Sequence, residues 1–330
     1  MTSSHCVAVI GTGSAGTRHL EVLRTLESVR AIAVSKRPER VKELREAGYC
    51  VTEDLRQAAN MGADLCVVAT DTARHAEHSN LAMECGFGVL VEKPIAATFS
   101  EAQIMSLRSC EHQRKLFVGC VLRFSESLNV FRERLAGIGR LHSVRIECQS
   151  YLPDWRPSRP YRESYSARAS EGGVLRDLIH EIDYAGWIFG WPSAVQARLK
   201  NLGRLGIEAE EIAELNWETS GGCIVSIGID YLTRSPRRRI RALGESGTLE
   251  WDGIIGTVTT EHPGSREQVF HSSQTRNQML AEQDLAFINA GPAVCDSRLA
   301  TGLDGLKALA ICDAARQAAT RRAEEPVRYL

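Results

Sequence analysis

The sequence lacks any long hydrophobic run: its longest apolar stretches, 88–91 and 223–229, are far shorter than the roughly 20 residues a membrane-spanning helix needs. It also lacks an excess of charge of either sign, with 40 Lys and Arg against 41 Asp and Glu and a formal net charge of −1. Without a basic field nothing holds a phosphate backbone or an anionic leaflet, so neither nucleic acid nor membrane is an expected partner. Cysteine pairs are missing too. The ten cysteines are scattered singly, with no CxxC and no Cys/His cluster at zinc spacing, so no metal site is expected. Cys66, Cys120, Cys148 and Cys223 fall inside apolar runs, which reads as reduced, buried thiols in a cytoplasm. A basic and then apolar leader has no room before the strand-like run from Cys6 to the turn at Gly11, so the protein is expected to stay where it is made.

What is present points to two domains. The chain has 330 residues, 43% hydrophobic and 25% charged, more than a single core usually serves. In the first third, apolar runs at 7–10, 31–34, 65–69 and 89–91 alternate with helical patterns. Continuous apolar strands are buried on both faces, so the spacing predicts a parallel sheet with crossover helices. Pro38 opens one helix and Gly48 closes it; Asp71 or Thr72 is placed to cap the next, which ends at Gly86. A strand at 116–121 finishes this domain. From about Leu141 the period becomes two: Val144, Ile146 and Cys148 alternate with Arg145, Glu147 and Gln149, and 223–232 and 239–243 read alike. One-sided strands predict a mostly antiparallel sheet. Helical patterns fall at 178–189, 279–289 and 303–321. The expected architecture is α/β: a parallel-sheet domain over 1–122, which the glycine-rich turn Gly11–Gly16 after its first strand marks as a Rossmann dinucleotide-binding domain, then an α+β domain over 123–330 with a large open, mostly antiparallel sheet. An open sheet face needs cover, so a homodimer or homotetramer through that sheet is expected.

Three segments carry chemistry. Gly11-Thr12-Gly13-Ser14-Ala15-Gly16 follows the first strand and opens a helix, so backbone amides and the helix N-terminus can meet a pyrophosphate without side-chain obstruction. No Gly-Lys-Ser/Thr follows, which excludes a P-loop. About 20 residues on, where a carboxylate usually holds the ribose hydroxyls of NAD, the second strand ends in Ser35-Lys36-Arg37. A hydroxyl and two cations suit a 2′-phosphate, so NADP is preferred over NAD. A solvated turn with two ordinary charges is the plain alternative. Third, Glu92-Lys93-Pro94 follows the strand 89–91, at the end of a parallel strand where ligands bind.

With Ala69-Thr70, His75 and Gly86, that last segment resembles the glucose-fructose oxidoreductase / inositol dehydrogenase / MocA family, abbreviated Gfo/Idh/MocA. Further matches cover nearly the whole chain: Arg123-Phe124, Gly137-Ile138-Gly139, Gly172-Gly173 and the run from Gly244 to Trp251. The resemblance implies an NAD(P) domain followed by an open mixed sheet that carries the substrate. It implies that Lys93 is catalytic, with Glu92 and Lys93 also beside the cofactor together with Thr70 and His75, and that Arg123 lies at the substrate. Its catalytic partner would be His180, preceded by an aspartate in a pattern like Asp-x-x-x-His. This chain reads Asp177-Leu178-Ile179-His180-Glu181-Ile182-Asp183, one residue shorter. On a helix Asp177, His180 and Asp183 share a face, so Asp177 orients the histidine or only caps a helix.

The loop 151–168 concentrates guanidinium and phenol groups, among them Arg156, Tyr161, Arg162 and Tyr165. Such groups fit a carboxylate, phosphate or polyhydroxyl ligand. With the Asp177–Asp183 run it is similar to a family subset associated with surface-polysaccharide and sialic-acid-like sugars. The expected function is therefore NAD(P)-dependent hydride transfer between nicotinamide C4 and a carbinol or ketone carbon of a sugar, sugar nucleotide or cyclitol. The rival is a non-catalytic dinucleotide sensor of the same fold; possession of both Lys93 and His180 favours the enzyme.

Overall fold

The computed structural model describes residues 5–157, 160–291 and 295–329. Strand β1 (His5–Ile10) runs into α1 (Ser14–Leu23), and the alternation continues through β2 (Val29–Val34), α2 (Pro38–Glu46), β3 (Cys50–Thr52), α3 (Leu55–Asn60) and β4 (Leu65–Val68). Then come α4 (His75–Glu84), β5 (Gly88–Glu92), α5 (Phe99–Glu111) and β6 (Leu116–Gly119). Every residue of β4 and of β6 is buried, as strands covered on both faces require. Pro38 sits in the first turn of α2, and a Thr98/Glu101 capping box opens α5. Neither Asp71 nor Thr72 caps α4. A 3₁₀ turn over Thr72–Arg74 comes first, with Thr72 itself buried, and Arg74 stands at the helix cap. Strands β3, β2, β1, β4, β5 and β6 lie in that order, all parallel. The order reverses at β1, so the carboxyl ends of β1 and β4 flank the switch point where open α/β sheets receive ligands.

The next stretch holds α6 (Glu126–Arg134), β7 (Leu141–Gln149), α7 (Val174–Asp177), α8 (Ile179–Phe189), β8 (Ala194–Lys200), β9 (Ile212–Glu218) and β10 (Ile224–Asp230). It ends with β11 (Arg237–Gly244), β12 (Thr248–Asp252), β13 (Thr257–Glu261) and β14 (Gln268–His271). The expected two-residue period is present: Ala213, Leu215 and Trp217 of β9 are buried while Glu214, Asn216 and Glu218 are exposed. Among the described residues of this nine-stranded sheet only β7 and β10 pair in parallel, so the sheet is mostly antiparallel, as expected. Arg238 Nε donates to Glu181 Oε1 at 2.8 Å, which fastens α8 to β11 through a buried carboxylate that is paired rather than stranded.

The last stretch holds α9 (Arg276–Asn289), β15 (Ala300–Thr301), α10 (Gly302–Arg321) and β16 (Glu325–Pro326). The chain forms two compact units: one runs to Phe124 and resumes over Thr275–Leu306, the other comprises Ser125–Gln274 and the chain from Lys307. A single cut at 122/123 has no place for this return. Phe287, Ile288 and Leu299 join Val7, Val9 and Leu90 in the core of the first unit. The Lys115 ammonium donates to the carbonyls of Phe287 and Ala290, both at 2.8 Å, and β15 adds to β6 antiparallel. The strand expected at 116–121 stops at Gly119, and a 3₁₀ turn over Val121–Phe124 leads out of the unit.

Candidate active site

In the first unit the glycine turn joins β1 to α1. A Cβ on Gly11 would lie 2.4 Å from the Ala69 carbonyl oxygen, and one on Gly16 would lie 1.8 Å from that of Gly11. These two glycines let the strand end, the turn and the helix pack together. Gly13 differs: a Cβ there would meet nothing within 4 Å. It stands at the cap of α1 with no side-chain cap, and Ser14 and Ala15 are exposed. The turn thus presents helix-terminal amides beside open space, which fits a dinucleotide pyrophosphate. Thr12 is buried.

At the end of β2, Ser35 is buried and its amide bonds to the Thr52 carbonyl, whereas Lys36 and Arg37 are exposed. A further cation, Arg40, reaches back to the glycine turn: Nε donates to the Thr12 carbonyl at 3.1 Å and Nη2 to Thr17 Oγ1 at 2.6 Å. Sequence reasoning missed Arg40, because a helix-surface arginine has no local pattern that names its partner.

Lys93 follows β5 and is half-buried, with a cis peptide bond to Pro94. His75, buried on α4, lies 2.7 Å by Nδ1 from the Pro94 carbonyl and 3.0 Å by Nε2 from the Thr70 carbonyl. Burial pushes this imidazole below its ordinary value, against the smaller pull of those two carbonyls. A neutral ring donates to only one of these backbone oxygens, so His75 is bonded to one and packed against the other, between the end of β4 and the Lys93-Pro94 turn. Thr70 Oγ1 is held in turn by His78 Nδ1 at 3.1 Å. Glu92 faces inward, with Oε1 3.0 Å from His19 Nε2 and Oε2 3.3 Å from the Lys93 amide. Arg123 is only 2% exposed and its Nη1 lies 3.4 Å from Asp304 Oδ2, so its charge is engaged within the first unit rather than displayed at a surface.

In the second unit, Asp177 ends α7, and the cap of α8 is Leu178 without a side-chain cap bond. The Asp177 carboxylate instead accepts from Tyr165 Oη at 2.5 Å and from Tyr231 Oη at 2.8 Å. Burial, reinforced by the Asp177 charge, pushes both phenols well above their ordinary value, so they remain donors. The helix breaks at Leu178, so Asp177 closes α7 while His180, half-buried, and Asp183, buried, lie on α8; the single helix face expected for all three is interrupted. Tyr161 Oη and Arg162 Nε both donate to the Leu205 carbonyl at 3.0 Å, so these two brace a neighbouring loop. Arg156 is exposed, and residues 158–159 of the same loop lie outside the described residues. Tyr231 was not foreseen, being 54 positions from Asp177. Among the described residues no cluster of His, Cys, Asp and Glu could hold a metal, and no helix is long and apolar enough to cross a membrane.

The family profile described as "Oxidoreductase family, NAD-binding Rossmann fold" matches residues 6–120, and the one described as "GFO/IDH/MocA C-terminal domain" matches 134–250. The myo-inositol 2-dehydrogenase of Thermotoga maritima is 26% identical over 94% of this chain and 95% of its own length. The 2,7-anhydro-N-acetylneuraminate hydratase of Mediterraneibacter gnavus is 28% identical over 56% of this chain; there the match spans about half of the relative, 49%. In fold, the chain is similar to an Agrobacterium radiobacter oxidoreductase solved with NAD+, L-tartaric acid and magnesium, with a TM-score of 0.87 at 19% identity over 98% of this chain and 99% of that one.

Proposed function

We infer, because the chain belongs to the Gfo/Idh/MocA family of NAD(P)-dependent oxidoreductases, that it transfers a hydride between nicotinamide C4 and a carbinol or ketone carbon of a sugar, sugar nucleotide or cyclitol. The observation that carries this reading is the seating of the buried His75 ring between the Pro94 carbonyl of the Lys93-Pro94 turn and the carbonyl of Thr70, the residue following the Ala69 carbonyl against which Gly11 packs. The lysine-bearing turn and the glycine turn are thereby packed through a common set of neighbours, which supports a preorganised site.

The nicotinamide, when bound, accepts or donates the hydride. The residues of the chain manage the proton and the charge. On oxidation the His180 imidazole takes the hydroxyl proton, and on reduction it returns it. Lys93 stabilises the developing alkoxide. Asp177, three positions before His180, is assigned the orienting role; its own carboxylate is fixed by two phenols. Arg156 supplies a cation for an acidic or N-acetylated sugar of the surface-polysaccharide or sialic-acid-like kind, a narrowing supported by the anhydro-neuraminate relative.

NADP is the preferred cofactor and NAD the weaker one. Support comes from Ser35, Lys36 and Arg37 at the end of β2, and from the Arg40 guanidinium beside the glycine turn. The ten free cysteines suit a reducing cytoplasm. The outer face of the nine-stranded sheet, with Arg239, Arg241 and Glu250 exposed, is the surface for a homodimer or homotetramer.

One experiment tests the reading. The absorbance of reduced nicotinamide is followed with a panel of sugars, nucleotide sugars and cyclitols, for the wild type, Lys93→Met and His180→Asn, alongside dissociation constants for NADPH and NADH. Each substitution is expected to lower kcat by about 10²–10⁴-fold with dinucleotide affinity nearly intact, and NADPH to bind more tightly. Full turnover in both variants rejects the site, and tighter NADH binding rejects the cofactor preference.

A further inference from the structure

The first unit buries a histidine that the proposed chemistry does not use. His19 lies on α1, 1% exposed, with a carboxylate at each ring nitrogen: Glu92 Oε1 is 3.0 Å from Nε2, and Asp284 Oδ2, on α9 and wholly buried, is 2.9 Å from Nδ1. A neutral imidazole has one N–H and would turn a lone pair toward one of the two carboxylates; only the imidazolium donates to both. Burial is the largest influence on this ring and acts against its charge, but Asp284 and Glu92 together prevail and push it up to about 10. Glu92 is held below its ordinary value: burial opposes this, and the His19 hydrogen bond and charge outweigh it, with Lys93 and His75 adding to them. Asp284 is pushed up by burial, which His19 offsets in part.

The clamp has a direction. One Glu92 oxygen is taken by His19; the other is 3.3 Å from the Lys93 backbone amide. On the far side a Cβ added to Gly119 of β6 would lie 3.2 Å from the Glu92 carboxylate carbon and from Oε2, so it is the absence of a side chain at 119 that leaves the carboxylate its place beside β6. We propose that His19 and Asp284 are positioning residues for Lys93: the imidazolium, gripped by Asp284 from behind, locks Glu92, and Glu92 locks the peptide that carries the lysine. The inference rests on the reading of Lys93 as a catalytic residue. It assigns a task to α9, 265 positions away from His19 in sequence, and links the helix that opens at the glycine turn to the residue that meets the substrate.

Two measurements on the intact protein test this, with Lys93→Met as reference. The first needs no substrate. Nitrogen NMR of His19 at pH 8 is expected to show both ring nitrogens protonated, and deuterium uptake at the Glu92–Lys93 peptide is expected to rise in Asp284→Asn and His19→Gln while other segments keep their rates. The second is kinetic: a displaced ammonium should lower kcat by roughly tenfold to a hundredfold with KM and dinucleotide affinity little changed, and Asp284→Glu should restore part of the loss. If His19→Gln fails to fold, Asp284→Asn, nearly equal in volume, carries the test. A neutral His19 at pH 8 overturns the proposal, as does unchanged uptake and unchanged kcat in Asp284→Asn. If Lys93→Met itself turns over normally, the catalytic reading of Lys93 falls while the NMR and exchange results still decide whether the clamp exists.

Discussion

The carboxylates of Asp177, Asp284 and Glu92 are held in two ways, and the difference has consequences for pH. Asp177 receives neutral phenol donors, whereas Glu92 and Asp284 share a cation. Because His19 is raised from 6.5 to about 10 in the fold, burial opposing and Asp284 with Glu92 prevailing, its contribution to stability is complete below pH 6.5 and is lost as the pH rises through about 10. His75, lowered chiefly by burial, works in the opposite sense and matters on the acid side. The thermal stability of the wild type is therefore expected to fall from neutrality toward pH 10, and His19→Gln to flatten that limb. The difference between the two curves is the measurement, since buried Cys66, ordinarily near 9.0 and pushed up by burial, also titrates on the alkaline side. Two equally steep curves would show that His19 is not charged in the fold. Lys93 and His180 could be proposed from the sequence because each stands in a short local pattern. His19 and Asp284 were not: nothing local announces a pair so far apart in sequence. The cap reading of Asp177 gave way for the same reason, since its partners come from positions 165 and 231.

At the scale of one turn, the three glycines separate folding from binding. Gly11→Ala forces a Cβ to 2.4 Å from the Ala69 carbonyl oxygen in a backbone with φ of 91°, and Gly16→Ala forces one to 1.8 Å from that of Gly11. Both are expected to destabilise the first unit by more than the roughly 1 kcal/mol that favourable glycine replacements gain. Gly13→Ala meets nothing within 4 Å and has φ of −77°, so unfolding should be nearly unchanged while NADPH affinity falls, because the new methyl occupies the space offered to the pyrophosphate. Calorimetry and a fluorescence titration on the three variants check this; a Gly13→Ala protein that binds as tightly as the wild type would mean the dinucleotide lies elsewhere. The elements themselves were well marked, as the buried runs of β4 and the alternating ones of β9 show. Less legible was the single parallel pair β7/β10, because a period of two fixes which face is buried and says nothing about the direction of the neighbour.

For the whole molecule, a sequence read from left to right places each segment with its neighbours, and 275–306 defies that. Its helical pattern was visible, but the partner of its apolar face was not. The ends of the intervening segment meet within the second unit: the Glu126 amide donates to Gln274 Oε1 at 2.9 Å, and Ser272 Oγ donates to Glu126 Oε2 at 2.5 Å. The stretch 125–274 is thus arranged as an insertion whose entry and exit are adjacent, which a fold tolerates at little cost. Phe287, Ile288 and Leu299 bury their side chains in the first-unit core, together worth about 5–9 kcal/mol, comparable with the whole stability of a domain, about 5–15 kcal/mol. Residues 1–124 alone are accordingly expected to show no cooperative thermal transition. They would lose those side chains, the carbonyls that receive Lys115, and the Asp284 carboxylate behind His19. The same residues joined through a short Gly/Ser linker to 275–306 are expected to unfold cooperatively and to bind NADPH. Calorimetry with a dinucleotide titration on both chains decides the matter, and a cooperative, NADPH-binding 1–124 would show that the returning segment is dispensable to the first unit.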